Sequence, residues 1–126
     1  MNDRFNIAIK VKKFIFMVDD LVISYPKKDY VIKDRLLNTC YDLLELIYRA
    51  NYSNDKDCYK FDILSKISII DFCLEESYNK KIISERKLLN YTNFLKEITK
   101  MVYGWIDDNK AKWFNGYFWL WSKKKY

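Results

Sequence analysis

Leu88-Leu89-Asn90-Tyr91-Thr92-Asn93-Phe94-Leu95-Lys96-Glu97-Ile98-Thr99-Lys100-Met101-Val102-Tyr103-Gly104-Trp105 is the stretch that decides the fold class of this chain. Leu88, Tyr91, Leu95, Ile98, Val102 and Trp105 follow one another in steps of 3, 4, 3, 4 and 3. That alternation lays one apolar seam along a helix and suits packing against a near-antiparallel neighbour. Ser84 precedes the pattern as a natural N-cap, and Glu85 sets negative charge in the first turn. The spacing predicts a helix over 85–108. Gly104 lowers helix propensity by about 1 kcal/mol against Ala. In a chain with only two glycines, it predicts close approach of a neighbouring backbone or subunit beside Trp105.

Three further helices are predicted upstream. Ile7, Val11, Phe14, Val18, Leu21 and Tyr25 form a second seam over 5–24, with Lys10, Lys12, Lys13, Asp19 and Asp20 off it. Pro26 ends it, because the residue before a proline is pushed out of the helical region. Over 28–51, Ile32, Leu36, Cys40, Leu43, Leu44, Ile47 and Tyr48 make a wide apolar stripe. Over 57–80, Ile63, Ile67, Ile70 and Leu74 point inward, flanked by Leu64, Phe72 and Tyr78. The polar connection 51–57 offers Asn54, Asp55 and Asp57 as caps, and Lys80 and Lys81 lie where a helix C-terminus favours cations. Short connections imply an antiparallel, up-down-up-down four-helix bundle over 1–108, followed by a tail over 109–126.

Composition agrees with an all-α chain. Half the residues are apolar, with one proline and two glycines, too few turn residues for an all-β fold. No apolar run is long enough to span a membrane. Lys10, Lys12 and Lys13 interrupt the N-terminal apolar stretch, so a signal peptide is not expected. Cys40, Cys58 and Cys73 match no paired metal spacing and suit a reducing cytoplasm.

The same inventory predicts no enzyme, cofactor or metal. The chain contains no histidine, the commonest general base and zinc ligand. Glu75-Glu76 and Asp107-Asp108 are sequential pairs, so their side chains diverge by about 100° around a helix instead of converging on a substrate. Cys73 has no imidazole to activate it.

The order of several motifs resembles a known family over about residues 10–108. These are Tyr25-Pro26-Lys27-Lys28, Leu43-Leu44-Glu45 running to Ala50-Asn51-Tyr52, Tyr78-Asn79-Lys80-Lys81-Ile82-Ile83-Ser84, and Met101-Val102-Tyr103-Gly104-Trp105-Ile106. Together they are similar to the four-helix-bundle family that includes the accessory variability determinant proteins of bacterial diversity-generating retroelements. The same family includes proteins encoded in intervening sequences of large-subunit ribosomal RNA genes. The resemblance implies a barrel-like homopentamer without catalysis. For the retroelement members it implies binding of a reverse transcriptase and its structured template RNA, in support of mutagenic cDNA synthesis. For the intervening-sequence members it implies a structural or self-assembly role without a reverse transcriptase. It also implies basic residues on the exposed face of helix three, where this chain has Asp71, Glu75 and Glu76.

RNA-binding cations are therefore expected elsewhere. The candidates are Lys10, Lys12 and Lys13 on helix one, Lys27 and Lys28 at the turn, and Lys33, Arg35 and Arg49 on helix two. Lys110, Lys112, Lys123, Lys124 and Lys125 supply five of the six net positive charges, so the bundle itself is nearly neutral and the tail basic. Trp113, Trp119 and Trp121 stand among those lysines. Such a tail can stack on bases, dock on the bundle or a partner, or touch a membrane interface, the last being the least expected. Gly104 and Trp105 join the three tail tryptophans as candidate partner or subunit contacts.

Overall fold

The four seams close on one another in a computed structural model that describes residues 3–106. Helix α1 spans Asp3–Val22, α2 Tyr30–Tyr52, α3 Lys60–Asn79 and α4 Glu85–Ile106. Two 3₁₀ turns, Lys27–Asp29 and Lys56–Tyr59, lead into α2 and α3. The described residues contain no strand, and the chain is an all-α four-helix bundle. Each helix packs on the helices before and after it, and α4 closes on α1. This ring leaves α1 and α3 on opposite corners. The directions alternate: Lys10 pairs with Glu97 at 2.7 Å and the Tyr91 hydroxyl donates to the Met17 carbonyl at 2.7 Å, so α1 and α4 run antiparallel.

The seam residues of α1 are all buried, and so are Leu88, Leu95, Ile98, Val102 and Trp105 of α4. Tyr91 is half-buried, its ring edge-on to Phe14 at 6.1 Å, while Phe94 stacks on Phe14 at 5.7 Å. Thr92 and Thr99 are buried on α4 without polar penalty, because each hydroxyl donates back to the carbonyl four residues earlier.

The ends of the helices depart from the simple pattern. Helix α1 stops at Val22, before Pro26 forces it to, and Tyr25 folds back into the core. The Tyr25 hydroxyl donates to Ser77 Oγ at 2.7 Å, and Ser77 Oγ donates to the Cys73 carbonyl at 2.8 Å. This relay ties the first turn to the end of α3. Asn54, Asp55 and Asp57 do not cap α3, which follows its 3₁₀ turn with no side-chain cap. Ser53 Oγ instead accepts from the Asp55 amide at 3.0 Å, an internal loop bond. The Ser84 cap is present, its Oγ accepting from the Lys87 amide at 3.2 Å.

Three other expectations are corrected. Phe72 does not flank the α3 seam; it lies on the outer face, 54 % exposed, because it stands about 200° from Ile70 around the helix. Asp71 is not on that exposed face but buried at its edge, with Glu75 and Glu76 half-buried. Nor does another helix of the chain close on Gly104: beyond its own helix backbone and chain neighbours, no atom of the described residues comes within 4 Å of where a Cβ would stand.

Candidate nucleic-acid interface

An up-down-up-down chain brings its first and third connections to the same end of the bundle. Here that end is marked by two contacts, the Tyr25–Ser77 hydrogen bond and a 3.6 Å approach of Lys80 Nζ to Asp29 Oδ1. Lys27 and Lys28 are exposed on the first connection. Lys80 and Lys81 are exposed on the third, with Arg86 and Lys87 exposed in the first turn of α4. Six cations thus share one end. The acids of the same turns are Asp29, buried and met by Lys80, Glu85, Glu76 in the last turn of α3, and Asp19 and Asp20 in the last turn of α1.

Local structure explains how these side chains are presented. The third connection is a Schellman closure: the Ile82 amide donates to the Ser77 carbonyl at 2.8 Å and the Lys81 amide to the Tyr78 carbonyl at 2.9 Å. The turn requires a left-handed residue, and Lys81 occupies it at φ 63°. Arg86 and Lys87 stand at the positive end of the α4 dipole, where each cation loses roughly 0.3–1 kcal/mol instead of gaining it. Their placement opposes local stability and raises the positive potential above what a residue count suggests. Tyr30 and Tyr78 are exposed aromatics beside the same connections.

The other predicted cations are dispersed. Lys10 is bound within the bundle, paired with Glu97 and 4.4 Å above the Phe94 ring. Lys12 and Lys13 are exposed along the middle of α1, with Lys12 5.7 Å from the Tyr48 ring. Lys33 is half-buried and Arg35 exposed on α2. Arg49 lies near the far end of α2, held by Glu45 at 2.9 Å. Of the cations expected from the sequence, Lys27 and Lys28 are the ones that join this end. Lys80 and Lys81, expected as helix-end charges, and Arg86 and Lys87, which stand in no sequence pattern of their own, join them because the topology places connections one and three together.

Trp105 is a buried core residue, so the surface has no use of its ring. Its carbonyl accepts from Lys56 Nζ at 3.1 Å, and that ammonium lies 5.7 Å from the indole. Lys110, Lys112, Trp113, Trp119, Trp121, Lys123, Lys124 and Lys125 lie outside the described residues.

The chemistry available to the described residues is limited. Burial pushes the Cys40 thiol up to about 12 and the Cys73 thiol up to about 11, so both are protonated and unreactive at neutral pH. No three His, Cys, Asp or Glu side chains among the described residues gather to hold a metal. No helix among them is long and apolar enough to cross a membrane. Comparison of the chain with known protein families, with curated proteins and with solved structures yields no match.

Proposed function

We propose that this chain is a non-catalytic, cytoplasmic RNA-binding scaffold that meets its polyanionic partner with the end of the bundle formed by the first and third connections. The observation that carries the reading is the gathering of Lys27, Lys28, Lys80, Lys81, Arg86 and Lys87 at that end, beside exposed Tyr30 and Tyr78. Cations there engage phosphates, and aromatic rings can stack on unpaired bases of a structured RNA. The motif resemblance extends the proposal: the RNA is the template of a retroelement reverse transcriptase, and the scaffold holds enzyme and template together. In the homopentamer that the resemblance implies, five such ends multiply a modest monomer charge into a strong field.

Binding of a structured RNA, followed by fluorescence anisotropy, tests the first part. Affinity should fall steeply between about 50 and about 200 mM salt, as counterion release demands. Replacing Lys27, Lys28, Arg86 and Lys87 by Glu should reduce it at least about tenfold, each lost phosphate contact flattening the salt slope by roughly 0.7–0.9. Lys10→Gln should leave affinity unchanged. Equal binding by the four-Glu variant would refute the assignment. Co-purification of a reverse transcriptase with the tagged chain from its native cell tests the second part; native flanks of ribosomal RNA gene would favour the self-assembling alternative.

A further inference from the structure

Helix α1 and the turn directly after it carry a second row of large apolar residues, Ile9 and Phe16 on the helix and Ile23 one residue past its end, on the side away from the core seam. Ile9 is 40 %, Phe16 67 % and Ile23 78 % exposed. A spacing of seven keeps Ile9 and Phe16 nearly in line, since successive heptads drift by only about 20° around a straight helix, and Ile23 continues the spacing into the first residue of the turn. Four exposed charges border the row. Lys12 and Asp19 lie along one flank, Lys13 and Asp20 along the other.

The row is symmetric about Phe16 in shape and antisymmetric in charge. Counting outward, Lys13 answers Asp19, Lys12 answers Asp20, and Ile9 answers Ile23. None of the four charges is drawn into an ion pair among the described residues. From this we infer that the outer face of α1 is a two-fold docking surface for α1 of a second copy of this chain. With the two helices antiparallel and Phe16 against Phe16, each Ile9 meets Ile23 of the other copy. A two-fold axis perpendicular to both helices keeps each flank on its own side. Lys12 then meets Asp19 of the second copy and Lys13 meets its Asp20, and symmetry repeats both pairs. That reciprocity is the mark of an isologous interface.

Charge decides the occupant. A nucleic acid or an anionic lipid surface would be repelled by Asp19 and Asp20 within the same row that holds Phe16. A parallel copy would oppose lysine to lysine. Only the antiparallel copy matches every charge with its opposite. The exposed row on α3, Phe61, Ile69 and Phe72, lacks this property, because the charges beside Phe72 are Glu75 and Glu76 alone. One helix face per copy is smaller than the roughly 1,600 Å² of a typical stable interface, so the contact is expected to dissociate on dilution.

The inference does not rest on the RNA reading, and its test is the mass of the full chain by sedimentation at low salt. Asp19→Lys with Asp20→Lys leaves four lysines on the face; Lys12→Asp with Lys13→Asp leaves four acids. Each double variant alone should show half the mass of the wild type at the same concentration. Mixed one to one, they should regain it. The variant carrying all four exchanges should regain it unmixed, because its face is again antisymmetric. All four positions are exposed, and unchanged helical circular dichroism verifies the fold. A wild type without concentration-dependent association, double variants that keep the wild-type mass, or a mixture that stays dissociated would each overturn the inference.

Discussion

Replacing Lys81 by Gly should stabilise the bundle, although it removes a side chain from a surface turn. Lys81 is the left-handed residue of the Schellman closure, at φ 63°, where an L-residue crowds its Cβ against the carbonyl. That conformation costs a non-glycine residue about 1–2 kcal/mol. Glycine returns part of the gain, since its unfolded chain has more freedom to lose, about 0.5–1 kcal/mol. The net expectation is a gain of about 0.5–1 kcal/mol, or a rise in Tm of roughly 3–5 °C for a domain of this size. Urea titration monitored by circular dichroism measures it, with an unchanged slope as the sign that only the folded turn has altered. Lys81→Ala removes the same charge but keeps the Cβ, so it should gain nothing. A Gly variant no more stable than wild type would refute the conformational argument, and an Ala variant as stable as the Gly variant would leave the lost charge as the cause.

Three other perturbations have defined outcomes. Ser77→Ala should cost more than Tyr25→Phe, about 1–3 against about 1 kcal/mol, because it strands the buried Tyr25 hydroxyl; in a double-mutant cycle the two losses should be less than additive. Phe14→Ala, at a fully buried position against Tyr91 and Phe94, should cost about 3–5 kcal/mol and show as a large fall in thermal midpoint. In alkali, Cys40 and Cys73 hold their protons up to about 12 and about 11 while the unfolded chain releases them near 9.0. Their contribution is therefore complete below about pH 9 and lost as pH rises toward 11–12; under reducing conditions a Cys40→Ala, Cys73→Ala variant should hold its urea midpoint nearly flat to about pH 10.

The seams were legible because burial and period are the same fact in a helix. Ile7 through Tyr25 and Leu88 through Trp105 are apolar at steps of 3 and 4, and they are the residues the bundle encloses. The helix ends were less legible. Three acids or amides in the second connection could each have capped α3, yet a 3₁₀ turn satisfied the backbone without them. Gly104 illustrates a different limit, since a glycine's missing side chain has several causes and the sequence cannot separate close packing from none. The basic end was missed for a topological reason. Lys27 and Lys87 are sixty residues apart in sequence, and only the alternation of helix direction brings their turns together. Taken run by run along the chain, Lys80 and Lys81 are helix-end charges and Arg86 and Lys87 belong to no pattern.

The basic end and the α1 row make different demands, and together they fix a geometry that RNA length can probe. At the end, Arg86 and Lys87 stand against the helix dipole beside Lys27, Lys28, Lys80 and Lys81, so the charge of the connections themselves calls for an external anion. Along α1 the charges already cancel within the row, so the call is for a second copy. An antiparallel α1 pair centred on Phe16 turns the two basic ends away from each other. Helix α1 ends six residues beyond Phe16, or about 9 Å along the axis at 1.5 Å per residue, and the first connection lies past that point, which separates the two ends by roughly 20 Å or more. An RNA with two unpaired loops at about that separation should engage both, its second contact gaining an effective concentration in about the millimolar range. Affinity should therefore rise sharply for such an RNA over a single-loop one. Phe16→Asp, which buries two like charges at the two-fold, should abolish that rise while leaving single-loop binding unchanged. A rise that survives in the Phe16→Asp protein would show that the two ends are joined by some other contact, and an absent rise in the wild type would separate RNA binding from the α1 pairing altogether.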